Sequence, residues 1–176
     1  SYRSAGQSFS ARHCDMNFVM LRQRSERTDA AQIDHLKRMA ADHARHSHCW
    51  IHGYVVCRET RAEAQAVLER YVRANGDWAT AGRMVEMFGL ESGTLAPDVL
   101  DDFKFHFIAG HGGYPLVGTP DDIVDDLERL SEMGVDGVLL SWLDYLEECQ
   151  QWIDEVLPLM ERRGLRGPSP TTDHSS

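Results

Sequence analysis

The chain has 176 residues, with 18 Lys and Arg against 28 Asp and Glu, so it carries a formal charge of −10 at neutral pH with no basic cluster. Phosphate neutralisation dominates affinity for nucleic acid, and this balance excludes a nucleic-acid partner as the main reading. A composition of 42% hydrophobic and 26% charged residues is globular and suits a single domain, and no apolar run nears the roughly 18 residues that span a bilayer.

The N-terminal SYRSAGQSFS lacks the apolar stretch of a secretory signal, and Cys14, Cys49, Cys57 and Cys149 form no CxxC pair. A cytoplasmic protein without membrane contact, its thiols reduced and packed as small hydrophobes, is expected.

In chain order, a strand is expected to end near Gly6, and Met16 to Leu21 (MNFVML) suits a second short strand. A helix from Asp29 to Ala44 would turn Ile33, Leu36 and Ala40 inward. Trp50 to Cys57 (WIHGYVVC) is β-branched and aromatic, which favours a strand. Thr60-Arg61-Ala62-Glu63 is a capping box opening a helix whose inner face is Ala64, Val67, Leu68, Tyr71 and Val72. From Asn75 to Val117 the pattern is irregular and reads as an insertion, with helices near Asp77 to Met87 and Pro97 to Ile108. The flexible run Gly110-His111-Gly112-Gly113 follows.

Thr119 then caps a helix with Pro120 at its first position, and Asp121 and Asp122 favour its positive end. Ile123, Leu127 and Leu130 form its stripe, Gly134 stops it, and Val135 to Ser141 (VDGVLLS) is a buried parallel strand. The last helix starts near Asp144 with Leu146, Cys149, Ile153, Val156 and Met160 as its inward row, and Pro158 bends or shortens its final turns. Residues 164–176 have the composition of a disordered tail, leaving 1–163 as the folded domain with 75–118 as insertion and lid.

Alternating strands and helices imply an α/β fold with a parallel sheet, right-handed crossovers and ligands at the carboxyl ends of the strands. About four strands are too few to close a (β/α)8 barrel, which takes about 250 residues, so the sheet is either open or one half of a barrel.

Three segments decide between these. Ala5–Ser8 (AGQS) with Ser10–Phe18 (SARHCDMNF), Val55–Gln65 (VVCRETRAEAQ) and Gly112–Tyr145, in this order, resemble the bacterial luciferase-like flavin-dependent monooxygenases. Glu155–Gly164 is similar to that family's last helix, while Ala74–Phe88 and GGYPLVGTP most resemble its dimethyl-sulfone monooxygenase branch. The resemblance covers nearly the whole chain but only the C-terminal half of a family member, and it implies a TIM-type barrel of which strands five to eight are present. Between Ser8 and Phe9 the chain lacks several residues that family members usually carry from strand into helix.

The candidate site residues follow. Small residues in AGQS let backbone N–H groups and the Ser8 hydroxyl approach an anion, although any strand-to-helix turn also needs them. The resemblance places Gly6, Gln7 and Ser8 along the FMN phosphate and ribityl chain. Alternation puts Trp50, His52 and Tyr54 on one strand face, where His52 and Tyr54 either contact a bound ring or are hydrogen-bonded barrel side chains. Gly110 to Gly118, bearing His111, Gly112, Gly113 and Tyr114, is either an active-site lid or a surface connection. Ser141 and Trp142 stand at the end of the last strand, where Trp142 either walls the pocket or anchors the last helix. His43, His46, His48 and Cys49 lack the spacing of a zinc site, and no metal is expected.

The resemblance implies a monooxygenase that uses reduced FMN, supplied by a separate flavin reductase, and O2 to oxygenate a small organic, organosulfur-type substrate. The alternatives are an F420-dependent oxidoreductase of the same superfamily and a non-catalytic flavin-binding remnant. Half of a closed sheet leaves edges and an inner face uncovered, so a homo-oligomer or pairing with an N-terminal half is expected.

Overall fold

The computed structural model describes residues 2–21, 26–87 and 97–167, with side chains from Ala5 onward. Strand β2 (His48–Cys57) is the axis of the fold. Its β-branched and aromatic residues fit a pleated surface, buried on both sides from Gly53 to Cys57. Three shorter strands pair with it, all in parallel: β1 (Met16–Phe18), β3 (Tyr114–Gly118) and β4 (Gly137–Ser141). Trp50 pairs with both Phe18 and Gly137, and Gly53 and Tyr54 pair with both β3 and β4. One edge of β2 therefore belongs to β4, while β1 and β3 lie end to end along the other.

One face of this sheet is closed. Ile51, Val55 and Cys57 are buried with Leu116, Ile123, Leu127, Leu130 and Trp152 in the main core. The cover comes from α2 (Glu26–Ala41), with Ile33, Leu36 and Ala40 inward as expected, from α6 (Pro120–Glu132) and from the C-terminal helices. Helix α6 starts at a reciprocal cap between Thr119 and Asp122 and ends before Gly134, whose φ of +95° an L side chain rarely adopts. The Arg61 guanidinium, then the Thr119 N–H, hold the Asp122 carboxyl down at about 2. The same ion pair ties α6 to α3 (Arg61–Glu69), which opens on the Thr60–Glu63 capping box and continues into a wider π turn over Arg70–Ala74.

The opposite face is covered only above its middle. Tyr54 and Val56 pack with Ala64, Leu68 and Val72 of the α3 segment and with Phe105 of α5 (Pro97–Gly110), beside α4 (Trp78–Met87). Below them Met16, Phe18 and Leu139 are 52%, 59% and 55% exposed, on the side shared by Trp50 and His52. This is the uncovered inner face expected of a half barrel.

Three elements differ from the sequence expectation. The strand expected to end near Gly6 is instead part of helix α1 (Tyr2–His13). No turn residue separates Ser8 from Phe9, and no described strand lies beyond β1 to receive its hydrogen bonds, so a helix satisfies this backbone internally. The flexible connection expected up to Gly118 becomes β3 from Tyr114 on, because β2 offers the pairing partners Gly53 to Cys57. The last helix is broken into α7 (Tyr145–Gln151), a π turn (Trp152–Val156) and α8 (Leu157–Arg162), as Pro158 withholds an N–H from the preceding turn. Its inward row is Glu148, Trp152 and Val156, whereas Leu146 and Ile153 are 87% and 52% exposed. Contacts of Trp152 with Trp142 and of Glu148 with Arg58 set the orientation over the apolar count. Of the expected tail, residues 168–176 lie outside the described residues.

Candidate functional site

Alternation turns His52 and Tyr54, in the middle of β2, and Ser141, at the carboxyl end of β4, to the inner side. His52 Nε2 and Ser141 Oγ are hydrogen-bonded at 3.0 Å across the two strands. Burial lowers the His52 pKa below its usual 6.5, and the neighbouring His111 lowers it further. The imidazole is thus held neutral at neutral pH, able both to donate and to accept.

The turn joining α5 to β3 brings His111 there. His111 and Gly112 have φ of +51° and +75°, and Gly112 N–H donates back to the His106 carbonyl, a left-handed helix end. Gly113 follows against His52, where an added Cβ would lie 2.7 Å from Nδ1. Its lack of a side chain is therefore a condition of the site. Tyr114 pairs opposite Gly53 as the first residue of β3.

Tyr54, Tyr71, Ile108, Ala109, Ser141 and Trp142 line a cleft above His52. The Trp142 ring meets Trp152 of the last helical segment edge-on at 5.9 Å, and the side chain also lines the cleft. Its indole N–H is buried without a partner among the described residues. A buried unmet donor costs about 1–3 kcal/mol. The cleft holds about 100 Å³, below the roughly 300–1,000 Å³ of small-molecule pockets.

Four further residues shape this cleft. The buried Glu148 carboxylate accepts from the N–H groups of Leu143 and Asp144 and pairs with Arg58 at 2.8 Å, locking the turn after β4 to the end of β2. Tyr54 O–H is 2.7 Å from His106 Nδ1, and His106 Nε2 is 3.2 Å from Asp102. Asp102 and His106 drew no role from the sequence, although both fall in the helix expected near Pro97 to Ile108. Their i, i+4 spacing in DDFKFHF is the signal that could have shown them on one helix face. Tyr71 instead donates to the Ala109 carbonyl, and burial pushes its pKa up to about 12. Gly6, Gln7 and Ser8 lie on α1, which packs chiefly against α2 and not against the cleft wall.

Comparison with known proteins places this geometry. The model of the luciferase-like monooxygenase family matches residues 1–137. The chain is 28% identical over 152 residues to an FMNH2-dependent dimethylsulfone monooxygenase of Pseudomonas fluorescens, covering 81% of this chain and 40% of the relative. It is 26% identical over 179 residues to a sulfoquinovose monooxygenase of Agrobacterium fabrum, covering 90% and 46%. Among solved structures, DmoA from Hyphomicrobium sulfonivorans superposes with a TM-score of 0.72 at 20% identity, over 90% of this chain and 40% of that one. A long-chain alkane monooxygenase superposes with a TM-score of 0.69 at 19% identity, over 90% and 39%. The chain thus spans less than half the length of these curated relatives. The likeness in structure fixes the fold as part of a TIM-type barrel.

Proposed function

The chain belongs to the luciferase-like monooxygenase family, and from that premise we propose that it forms one wall of a flavin-dependent monooxygenase site. This site would use reduced FMN and O2 to oxygenate a small organic substrate of the organosulfur class. The observation that carries the reading is the His52–Ser141 bond joining β2 and β4 beside a cleft lined by Tyr54, Ser141 and Trp142 that is too small for a ligand by itself.

Bound reduced FMN would supply the oxygen chemistry, and a separate flavin reductase would supply the reduced FMN. The chain's part is binding, orientation and exclusion of water. Trp142 would pack against the bound cofactor, the neutral His52 would hold Ser141 towards the same space, and Tyr54 with the Glu148-locked turn would form a rigid back. The His111–Gly113 turn closes the lower side, and such hydrogen-bonding groups gain strength as water leaves. Mutating His52 to Ala should lower turnover by about 10²-fold or more.

We place the missing wall in an N-terminal half, or failing that a second copy, laid on the face that exposes Met16, Phe18 and Leu139 between the free edges of β1 and β4. The phosphate site at Gly6, Gln7 and Ser8 belongs to that paired form, where a neighbouring strand can draw this segment out of its helix. Ser8→Asp should then weaken FMN binding in the paired form and leave the chain alone unchanged.

Titration of the purified chain with FMN, oxidised and then anaerobically reduced, tests the reading, with and without the N-terminal half of a relative. Micromolar binding of reduced FMN in the paired form, with O2 uptake on adding substrate, is expected. Absence of binding in either form overturns it, and hydride transfer without O2 uptake would favour F420 instead.

A further inference from the structure

A site that excludes water needs another way to exchange protons, and the α5 insertion holds one. Tyr54 is 2% exposed, His106 is 8% exposed, and the Asp102 side chain is 63% exposed, so the three form a line from the cleft wall to solvent. An Asp carboxylate can only accept, which puts a proton on His106 Nε2 and leaves Nδ1 as the acceptor for the Tyr54 O–H. The two contacts of the line, Tyr54 to His106 and His106 to Asp102, thus both point outward.

We propose that Tyr54, His106 and Asp102 are a proton relay between the cleft and solvent. As its hydrogens stand, a proton donor of a bound ligand gives its proton to the Tyr54 oxygen while the Tyr54 O–H proton moves to His106 Nδ1. The His106 Nε2 proton moves in turn to the Asp102 carboxylate. Three O–H or N–H bonds break and three form, no atom changes oxidation state, and one proton has left the cleft. Asp102 then loses it to water, and rotation of the Tyr54 hydroxyl with return of the histidine tautomer resets the line.

The second cleft tyrosine is the internal contrast. Tyr71 donates to the Ala109 carbonyl, which cannot pass a proton on. The packing also favours a fixed path, because an added Cβ at Gly110 would lie 2.4 Å from Tyr54 Cβ. Helix α5 can approach β2 closely enough to bring His106 to the phenol only with glycine there.

The relay deepens the oxygenase reading, but its test uses no flavin, so either can fail alone. In the chain labelled at histidine nitrogens and tyrosine Cζ, NMR would give the His106 tautomer and the exchange rate of the Tyr54 hydroxyl in mixed H2O and D2O, with Tyr54→Phe for assignment. The Nε2–H tautomer is expected. His106→Gln keeps an acceptor for Tyr54 yet cannot relay, and should slow exchange by about tenfold or more. Asp102→Asn should slow it and mix the tautomers, and Asp102→Glu should restore both. A purely structural role predicts faster exchange once the contact loosens. Unchanged or faster exchange in His106→Gln and Asp102→Asn, or an Nδ1–H tautomer, overturns the relay.

Discussion

The two faces of strand β2 carry side chains from alternate positions of one ten-residue segment and meet different fates. Ile51, Val55 and Cys57 enter a core closed by α2, α6 and the last helices, and each is 3% exposed or less. On the other face Tyr54 and Val56 are sealed by the insertion, while Trp50 and His52 look onto a surface with Phe18 and Leu139 mostly exposed. The finished face stabilises the chain. The unfinished face carries His52, Tyr54 and Ser141, the polar groups of the candidate site, so stability and the proposed function divide between the two faces of one strand.

The sharpest way to break this comparison is to remove equal amounts of apolar side chain from both sides. Ile51→Ala leaves a cavity in a core with few ways to collapse and should cost about 2–5 kcal/mol in urea unfolding. Leu139→Ala, on the open face of the isolated chain, should change stability by less than about 0.5 kcal/mol. Comparable losses would mean that the open face is covered in solution by another copy.

Gly113→Ala probes the junction of the faces. The new Cβ meets His52 Nδ1 at 2.7 Å and the Gly110 carbonyl at 3.1 Å, and this overpacking should cost about 1–3 kcal/mol. The His52–Ser141 bond should break with it, visible as a shift of the His52 ring resonances. Intact resonances would show the turn to be looser than described.

On the closed side, Asp122→Ala removes both a cap and the tie to Arg61, and should cost about 0.5–2 kcal/mol at neutral pH. The Asp122 carboxyl sits at about 2 in the folded chain, against about 3.9 unfolded. Its contribution is therefore whole above the unfolded value and is lost as pH falls through the folded one. The gap between wild type and variant should close over that window. A gap constant down to pH 2 would reject the charge as its source.

The closed side was also the more legible in sequence. Thr119, Pro120, Asp122 and Gly134 specify α6 by contacts within a few residues, so cap, stripe and stop all stand where their types require. Strand β2 was legible for the same reason, and alternation put His52 and Tyr54 on one face. What failed depends on distant partners. Ala5–Ser8 is a strand end only when a neighbouring strand pairs with it, and Leu146 was taken as buried because its row was apolar. The buried Glu148 salt bridge and the Trp152 contact chose the other side. Ser141 was placed at a strand end by pattern, but its bond to His52 spans 89 positions, and nothing local announces it.

The smallest expected effect separates the faces by charge. Burial first, and His111 second, lower the His52 pKa below 6.5. The unfolded chain then binds this proton more readily than the folded one, so stability falls as pH drops through 6.5 towards the folded value and recovers as pH rises. A histidine NMR titration should find His52 below the ordinary 6.5. His111→Ala should raise the His52 pKa only part of the way, because burial remains. If His111→Ala restored it fully, repulsion between two rings would be setting the value, and burial would have to be given up as its main cause. Laying an N-terminal half over the open face should push the value lower still, since covering that face takes more water from the ring. The same titration therefore measures how far the unfinished face has been completed.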